Sequence, residues 1–239
     1  MGKRICILLL VVGCFSQCEK KQYEPLNEKY SFHLPELPYG YGSLEPVLWS
    51  QIIYIHHKKE HTKLLAGLNY LTQNYGEYRD LTVAELLEEY GLEDPMVAKY
   101  AGGHYNHCLL WWSLIGASCA KSQPEGDLLA AIEREWGTFE DFKQEFTTYS
   151  ASLFGTGWVW LCSNRAGELE IKGKQDEYSP LADGDCYPFL GIDLWEHAFY
   201  LYYIYNKEDY AKLWWEIVDW DLIEYWYENY SAKGKAVPV

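Results

Sequence analysis

The sequence predicts an α+β fold: an N-terminal α-helical hairpin domain, then a C-terminal domain with a small three-stranded antiparallel sheet and helices. Three observations carry this. Apolar residues recur at helical spacing through the first half of the chain; short β-rich runs begin at residue 157; and after residue 193 a long aromatic-rich stretch returns to helical spacing. The chain has 239 residues, 49% hydrophobic and 17% aromatic, ample for a packed core and for one compact unit or two small ones.

Taken in order, residues 1–21 read as a leader. A basic start (Lys3, Arg4) precedes an apolar run from Ile5 to Val12 and then Gly13-Cys14. The run is too short to span a bilayer and has the layout of an export signal. Val11-Val12-Gly13-Cys14 resembles the bacterial lipobox, which implies a lipid anchor at Cys14 and a periplasmic or cell-surface lipoprotein. A plain cleaved signal, with Cys18 marking a second cleavage point, implies a secreted protein instead. Several acyl chains hold a protein on a membrane stably, whereas a single chain is marginal. No other stretch is long and apolar enough for a transmembrane helix.

The N-terminal domain is expected over residues 22–120. Residues 22–38 are an extended lead-in; helical spacing runs from Leu44 to Leu71 and again from about Met96 to Leu114, giving the hairpin. The turn residues Pro124 and Gly126 in "KSQPEGD" mark the boundary to the second domain, residues 121–239. Two helical stretches follow, "LLAAIEREW" and "TFEDFKQEFTTYSASLF". In the latter, Thr138 and Asp141 resemble a capping box with Asp for Glu. "GWVWLCSN" and "GELEIKG" form a hairpin around Asn164 to Gly167, and "YPFLGID" is the third strand. "LWEHAFYLYYIY" and "YAKLWWEIVDWDLIEYWYENY" are helical by length and spacing.

The formal net charge is −15, and removing residues 1–13 takes away Lys3 and Arg4 to leave −17. Such acidity argues against nucleic acid as a partner and favours solubility. Cys108, Cys119, Cys162 and Cys186 show no CxxC pair; they read mainly as small buried hydrophobes, with room for one disulfide in an exported compartment.

Chemistry concentrates in the histidines. "YIHHKKEH" supplies His56, His57 and His61, "AGGHYNHCLLWW" supplies His104 and His107, and "GIDLWEHAFY" places Asp193 and His197 among aromatics. A lone histidine is best read as a hydrogen-bonded core or surface residue. Several together with a carboxylate in apolar surroundings point to a metal, because a buried charge is costly unless a cation or donors meet it.

"DLWEHAFY" resembles the signature of the iron/manganese superoxide dismutases, and "PELPYGYGSLEP", "IHHKKEH", "AGGHYNH", "LFGTGWVWL" and "SPL" follow that family's blocks in its order. The resemblance covers about residues 35–221. It implies a superoxide dismutase converting superoxide to hydrogen peroxide and oxygen at one Mn or Fe ion per chain. The implied ligands are His56, His107, Asp193 and His197, a set in which geometry must exclude zinc. It makes Trp158, Trp160 and Trp195 the aromatic shell, and Gln175 the residue that hydrogen-bonds the metal-bound solvent; Gln175 together with Gly103 favours manganese. Glu177 and Tyr178 look like extra residues beside Gln175. Glu196 resembles the glutamate that reaches across a two-fold interface, implying a homodimer.

Three positions depart from the family's pattern. Its entrance carries a His and a Tyr on the first helix and a Tyr after the signature; here these are Glu60, Leu64 and Phe199, and a usual Arg is Lys207. Residues 56, 60 and 64 fall on one helix face. A carboxylate there repels an anion and a leucine relays no proton, so the expectation is an intact metal site with a reduced rate. Two further readings stay open: a catalytically degenerate metal-binding scaffold on the cell surface with a structural or interaction role, and altered metal chemistry with Glu60 as a ligand.

Overall fold

The computed structural model describes residues 21–25 and 27–239. The leader, including Cys14, lies outside the described residues. No helix among the described residues is long and apolar enough to cross a membrane.

The N-terminal half is an α-hairpin with an added helix. Residues 27–49 run without regular structure to α1 (Ser50–Ile55), a π-helical turn (His56–His61) and α2 (Thr62–Asn74), which form one rod. The helix therefore begins six residues later than the Leu44 of the sequence reading. A short α3 (Val83–Tyr90), not anticipated from sequence, opens with a full capping box between Thr82 and Glu85. Then α4 (Pro95–Trp112) returns beside α2; Asp94 caps it by accepting from the Met96 N–H at 2.7 Å, with Pro95 at the first helical position. The crossing of α2 and α4 is close at Gly67, where a Cβ would lie 2.2 Å from the Tyr100 ring.

The C-terminal half begins with α5 (Gly126–Trp136) and α6 (Phe139–Ser152). Thr138 accepts from the Asp141 N–H, but the Asp141 carboxylate meets the Thr138 hydroxyl at 2.6 Å rather than its backbone; aspartate is one methylene too short to close the box. The sheet consists of β1 (Gly157–Ser163), β2 (Leu169–Gln175) and β3 (Tyr187–Asp193), antiparallel in the order β2-β1-β3. Gly167, at φ +77°, makes the β1–β2 turn, and Asn164 Oδ1 accepts from the Ala166 and Glu168 N–H groups. Central β1 is buried along its whole length. Its register sets Trp158 opposite Asp193, which brings the strand's tryptophan to the end of β3. A disulfide joins Cys162 of β1 to Cys186, and Cys119 is disulfide-bonded too. Cys108 alone, among the described cysteines, is free.

The final helices are α7 (Glu196–Tyr203), α8 (Lys207–Trp214) and α9 (Trp220–Asn229). The stretch read as one helix from Tyr210 onward is broken at residues 215–219. There Val218 is extended and bridges Leu114, and the Ile115 and Asp219 N–H groups donate to Ile217 and Ser113. Cross-chain backbone bonds win over continued helix and tie the end of the α-hairpin to the second half.

Candidate metal centre

Each side chain of the site is aimed by its element. His56 opens the π turn, whose wide winding draws His56, His57 and His61 onto a narrower face than a regular helix would, and all three are buried. His57 is held outside the centre, its Nε2 donating to Pro35 O at 2.8 Å and its Nδ1 accepting from the Tyr41 hydroxyl at 3.1 Å. His107, on α4, donates Nδ1–H to Gly103 O at 2.6 Å, which fixes its tautomer and leaves Nε2 as a bare lone pair. Asp193 ends β3; its Oδ1 accepts from the Trp195 N–H at 2.8 Å at the turn into α7, leaving Oδ2 free. His197, in the first turn of α7, follows four residues later.

These four side chains converge. Asp193 Oδ2 lies 3.0 Å from His56 Nε2, 3.3 Å from His197 Nε2 and 3.8 Å from His107 Nε2, and the four donor atoms all lie within 4.8 Å of one another. Each of the four is buried without a hydrogen-bond partner. Four orphaned lone-pair atoms around one point are costly unless something fills it, and three imidazoles with one carboxylate are a donor set that suits Mn or Fe. The residues present therefore fit the ion. Burial, with the neighbouring His197, lowers the His56 pKa to about 4, and burial holds His107 well below the ordinary histidine range. Burial alone would raise Asp193, but His197 and then His56 overcome it and keep the carboxyl below its usual range. His56 and His107 are thus held as neutral rings beside a carboxylate, the protonation state a metal requires of its ligands.

Tryptophans wall the centre. Trp158 meets His107 edge-on at 5.1 Å and stacks on Trp160 at 5.5 Å; Trp195 stacks on His197 at 5.7 Å; Trp111 packs against His56 at 4.6 Å. The Trp158 indole N–H donates to Glu177 Oε2 at 3.1 Å. Glu177 is buried, its backbone carbonyl accepts from Asn106 Nδ2, and Gly102 leaves no room for a Cβ, which would meet that carbonyl at 2.3 Å. Burial, then the charge of Asp193, raises its pKa well above the ordinary carboxylate range and so favours the protonated acid.

Glu177 is the residue that sequence reasoning missed. Gln175, expected to face the metal, is exposed at the end of the edge strand β2, with its amide donating to Phe154 O at 3.1 Å. Strand pairing continues to Gln175 opposite Gly157, so the chain turns inward only afterwards. Counting back without a gap from Ser179-Pro180-Leu181 would have placed Glu177, rather than Gln175, at the centre.

Glu60 and Leu64 line a cavity of about 320 Å³ that also touches Glu177, Trp195 and His197. Leu64 is buried against Gly103. Both Glu60 carboxylate oxygens accept from Lys63 Nζ, at 2.7 and 2.8 Å, and Glu60 is not among the four converging side chains. Phe199 is buried and stacks on Tyr210 at 5.4 Å. Lys207 donates to Leu153 O at 3.0 Å. Glu196 is exposed at the start of α7.

A second buried cluster, His61, His104 and Cys108, has its ring nitrogens engaged. Trp111 Nε1–H donates to His61 Nδ1 at 3.0 Å, which puts the proton of His61 on Nε2, 2.8 Å from His104 Nδ1. It is a hydrogen-bond relay behind the ligands, with His61 stacked on His107 at 5.1 Å.

Comparison with known proteins agrees with this geometry. Residues 31–115 match the family described as iron/manganese superoxide dismutases, alpha-hairpin domain, and residues 124–225 match the C-terminal domain of the same enzymes. Over 195 residues the chain is 39% identical to the manganese superoxide dismutase of Listeria innocua and 38% identical to that of Listeria monocytogenes. Over 200 residues it is 37% identical to that of Salmonella typhi. Each match covers 80% of this chain and 95% of the relative. The chain, with its converging histidines and aspartate, belongs to the iron/manganese superoxide dismutase family.

Proposed function

We propose that this superoxide dismutase works at a single Mn or Fe ion held by His56, His107, Asp193 and His197, behind an altered gate that slows it. The observation carrying this reading is the set of four buried, unpartnered donor atoms around one point. Such an ion would supply the one-electron redox chemistry by which two superoxides and two protons give oxygen and hydrogen peroxide.

The chain's own residues orient and shield that chemistry. Trp158, Trp160 and Trp195 keep the imidazoles in place and exclude water. Glu177, a cavity-lining carboxyl whose pKa burial raises, is the group suited to hold a proton there, the role that Leu64 at the gate does not fill. Glu60 contributes negative charge where an anion must enter, offset by Lys63. Restoring the family's gate with Glu60→His and Leu64→Tyr is expected to raise kcat by about 100-fold, the low end of one general acid–base contribution. An unchanged kcat in the double variant, at equal metal content, contradicts the slowed-gate reading.

The dimer proposal rests on the face around Glu196. Tyr200, Leu201, Tyr202 and Ile204 are exposed on and beside α7, and Trp49 packs against Tyr202 at 4.6 Å with the rings tilted. A patch of this kind is expected to be covered by a second copy, with Glu196 reaching across it. Export, with a lipid at Cys14, is proposed from the leader sequence; mass spectrometry of the membrane fraction tests it, with an unmodified Cys14 as the contrary outcome.

A further inference from the structure

The substrate is an anion and the protein carries a net charge of −15, so long-range electrostatics oppose their encounter. The approach depends on charge at the cavity beside His197. Besides His197 and Tyr100, four acidic or basic residues line it: Glu60, Lys63, Lys99 and Glu177. Lys63 is neutralised, because its ammonium bonds both Glu60 oxygens. Glu177 is buried, with its Oε2 accepting from the Trp158 indole N–H, so it is not an exposed charge at the mouth. Lys99 is different. It is exposed, its ammonium lies 5.3 Å from the centroid of the Tyr100 ring, and among the described residues it makes no ion pair within 4 Å. Lys58 and Lys59, on the π turn, are not among the residues lining the cavity.

From this arrangement we infer that Lys99 is the residue that collects superoxide at the mouth of the cavity, and that the Glu60–Lys63 pair sets how strongly the mouth attracts. The inference rests on the dismutase reading and deepens it by assigning the specificity for an anionic substrate to one side chain. It makes a signed pattern of predictions. Removing Lys99 leaves only the mutually paired Glu60 and Lys63 as exposed charges of the lining. Removing Lys63 exposes the Glu60 carboxylate. Removing Glu60 releases a second cation.

One unit charge acting through water over about 7 Å changes the local anion concentration about threefold at low ionic strength, and the effect fades as the Debye length shrinks to about 3 Å at 1 M salt. The test is kcat/KM for superoxide in the metal-loaded full chain as a function of ionic strength, alongside the dissociation constant of azide, a small anion, from spectrophotometric titration of the same samples. Lys99→Gln and Lys63→Gln are each expected to lower kcat/KM and weaken azide binding about threefold at low salt, and Glu60→Gln to raise both. Lys99→Arg keeps the wild-type values, and all curves converge at high salt. Lys99 is exposed, so these variants are expected to fold, and an unchanged melting temperature checks it. Wild-type salt dependence of both quantities in Lys99→Gln overturns the inference. Absence of turnover in the metal-loaded wild type overturns the dismutase reading instead, and the azide series still decides the role of Lys99.

Discussion

Asp193 is fully buried and faces three histidines, and its two oxygens divide their tasks: Oδ1 holds the turn into α7 and Oδ2 faces the centre. Asp193→Asn keeps an oxygen to accept from Trp195 while removing the charge. It is expected to fold and to bind Mn or Fe at least about 100-fold more weakly, since even outer partners of a metal ligand are worth 10–100-fold; metal titration checks it. Glu177 makes a second test. Glu177→Gln keeps an acceptor for the Trp158 indole and is expected to leave the melting temperature near wild type, whereas Glu177→Ala strands that N–H and opens a hole, costing about 2–4 kcal/mol by denaturant titration. Asp193 and His197 were legible in the sequence because a charge in an aromatic stretch is too costly to be incidental. Glu177 was not, because the loop between β2 and Pro180 has no periodicity to reveal which of its residues turns inward.

Among the elements, the π turn and the sheet position the site. The three strands were legible from their β-rich runs and the Asn164–Gly167 turn, and β3 matches its sequence reading end to end. The π turn was not, since extra winding at His56–His61 is set by what packs there rather than by residue preference. The break at residues 215–219 was equally hidden, for no Gly or Pro marks it. Gly102 joins element to site: a Cβ there meets the Glu177 carbonyl, a backbone atom with little freedom to retreat. Gly102→Ala is expected to destabilise the fold by about 1–3 kcal/mol and to weaken metal binding, through displacement of α4 against the Glu177 loop. Equal stability of the two proteins in denaturant would contradict that packing. The Cys162–Cys186 bridge spans 24 residues, so its replacement by two serines is expected to cost about 3 kcal/mol.

For the whole molecule, buried neutral histidines link stability to pH. Burial lowers His104 to about 4 from an ordinary value near 6.5. Between those values the unfolded chain binds a proton that the folded chain refuses, so stability falls as pH drops through that window, by on the order of 3 kcal/mol for this group. Denaturant midpoints of the metal-free protein at pH 7 and pH 4.5 check the sign, and His104→Gln is expected to flatten the slope. The α+β class and its two-part layout were legible because helical and strand periodicities occupy separate parts of the chain, with an α-hairpin completed before the sheet begins. The quantity that joins all three scales is the metal itself. Elemental analysis of the purified full chain beside Asp193→Asn, with superoxide turnover measured on the same samples, tests the account most directly. The account predicts about one Mn or Fe per wild-type chain with turnover, and loss of both in the variant. A wild type filled with zinc or empty after reconstitution, or a variant that keeps full metal and turnover, would contradict it.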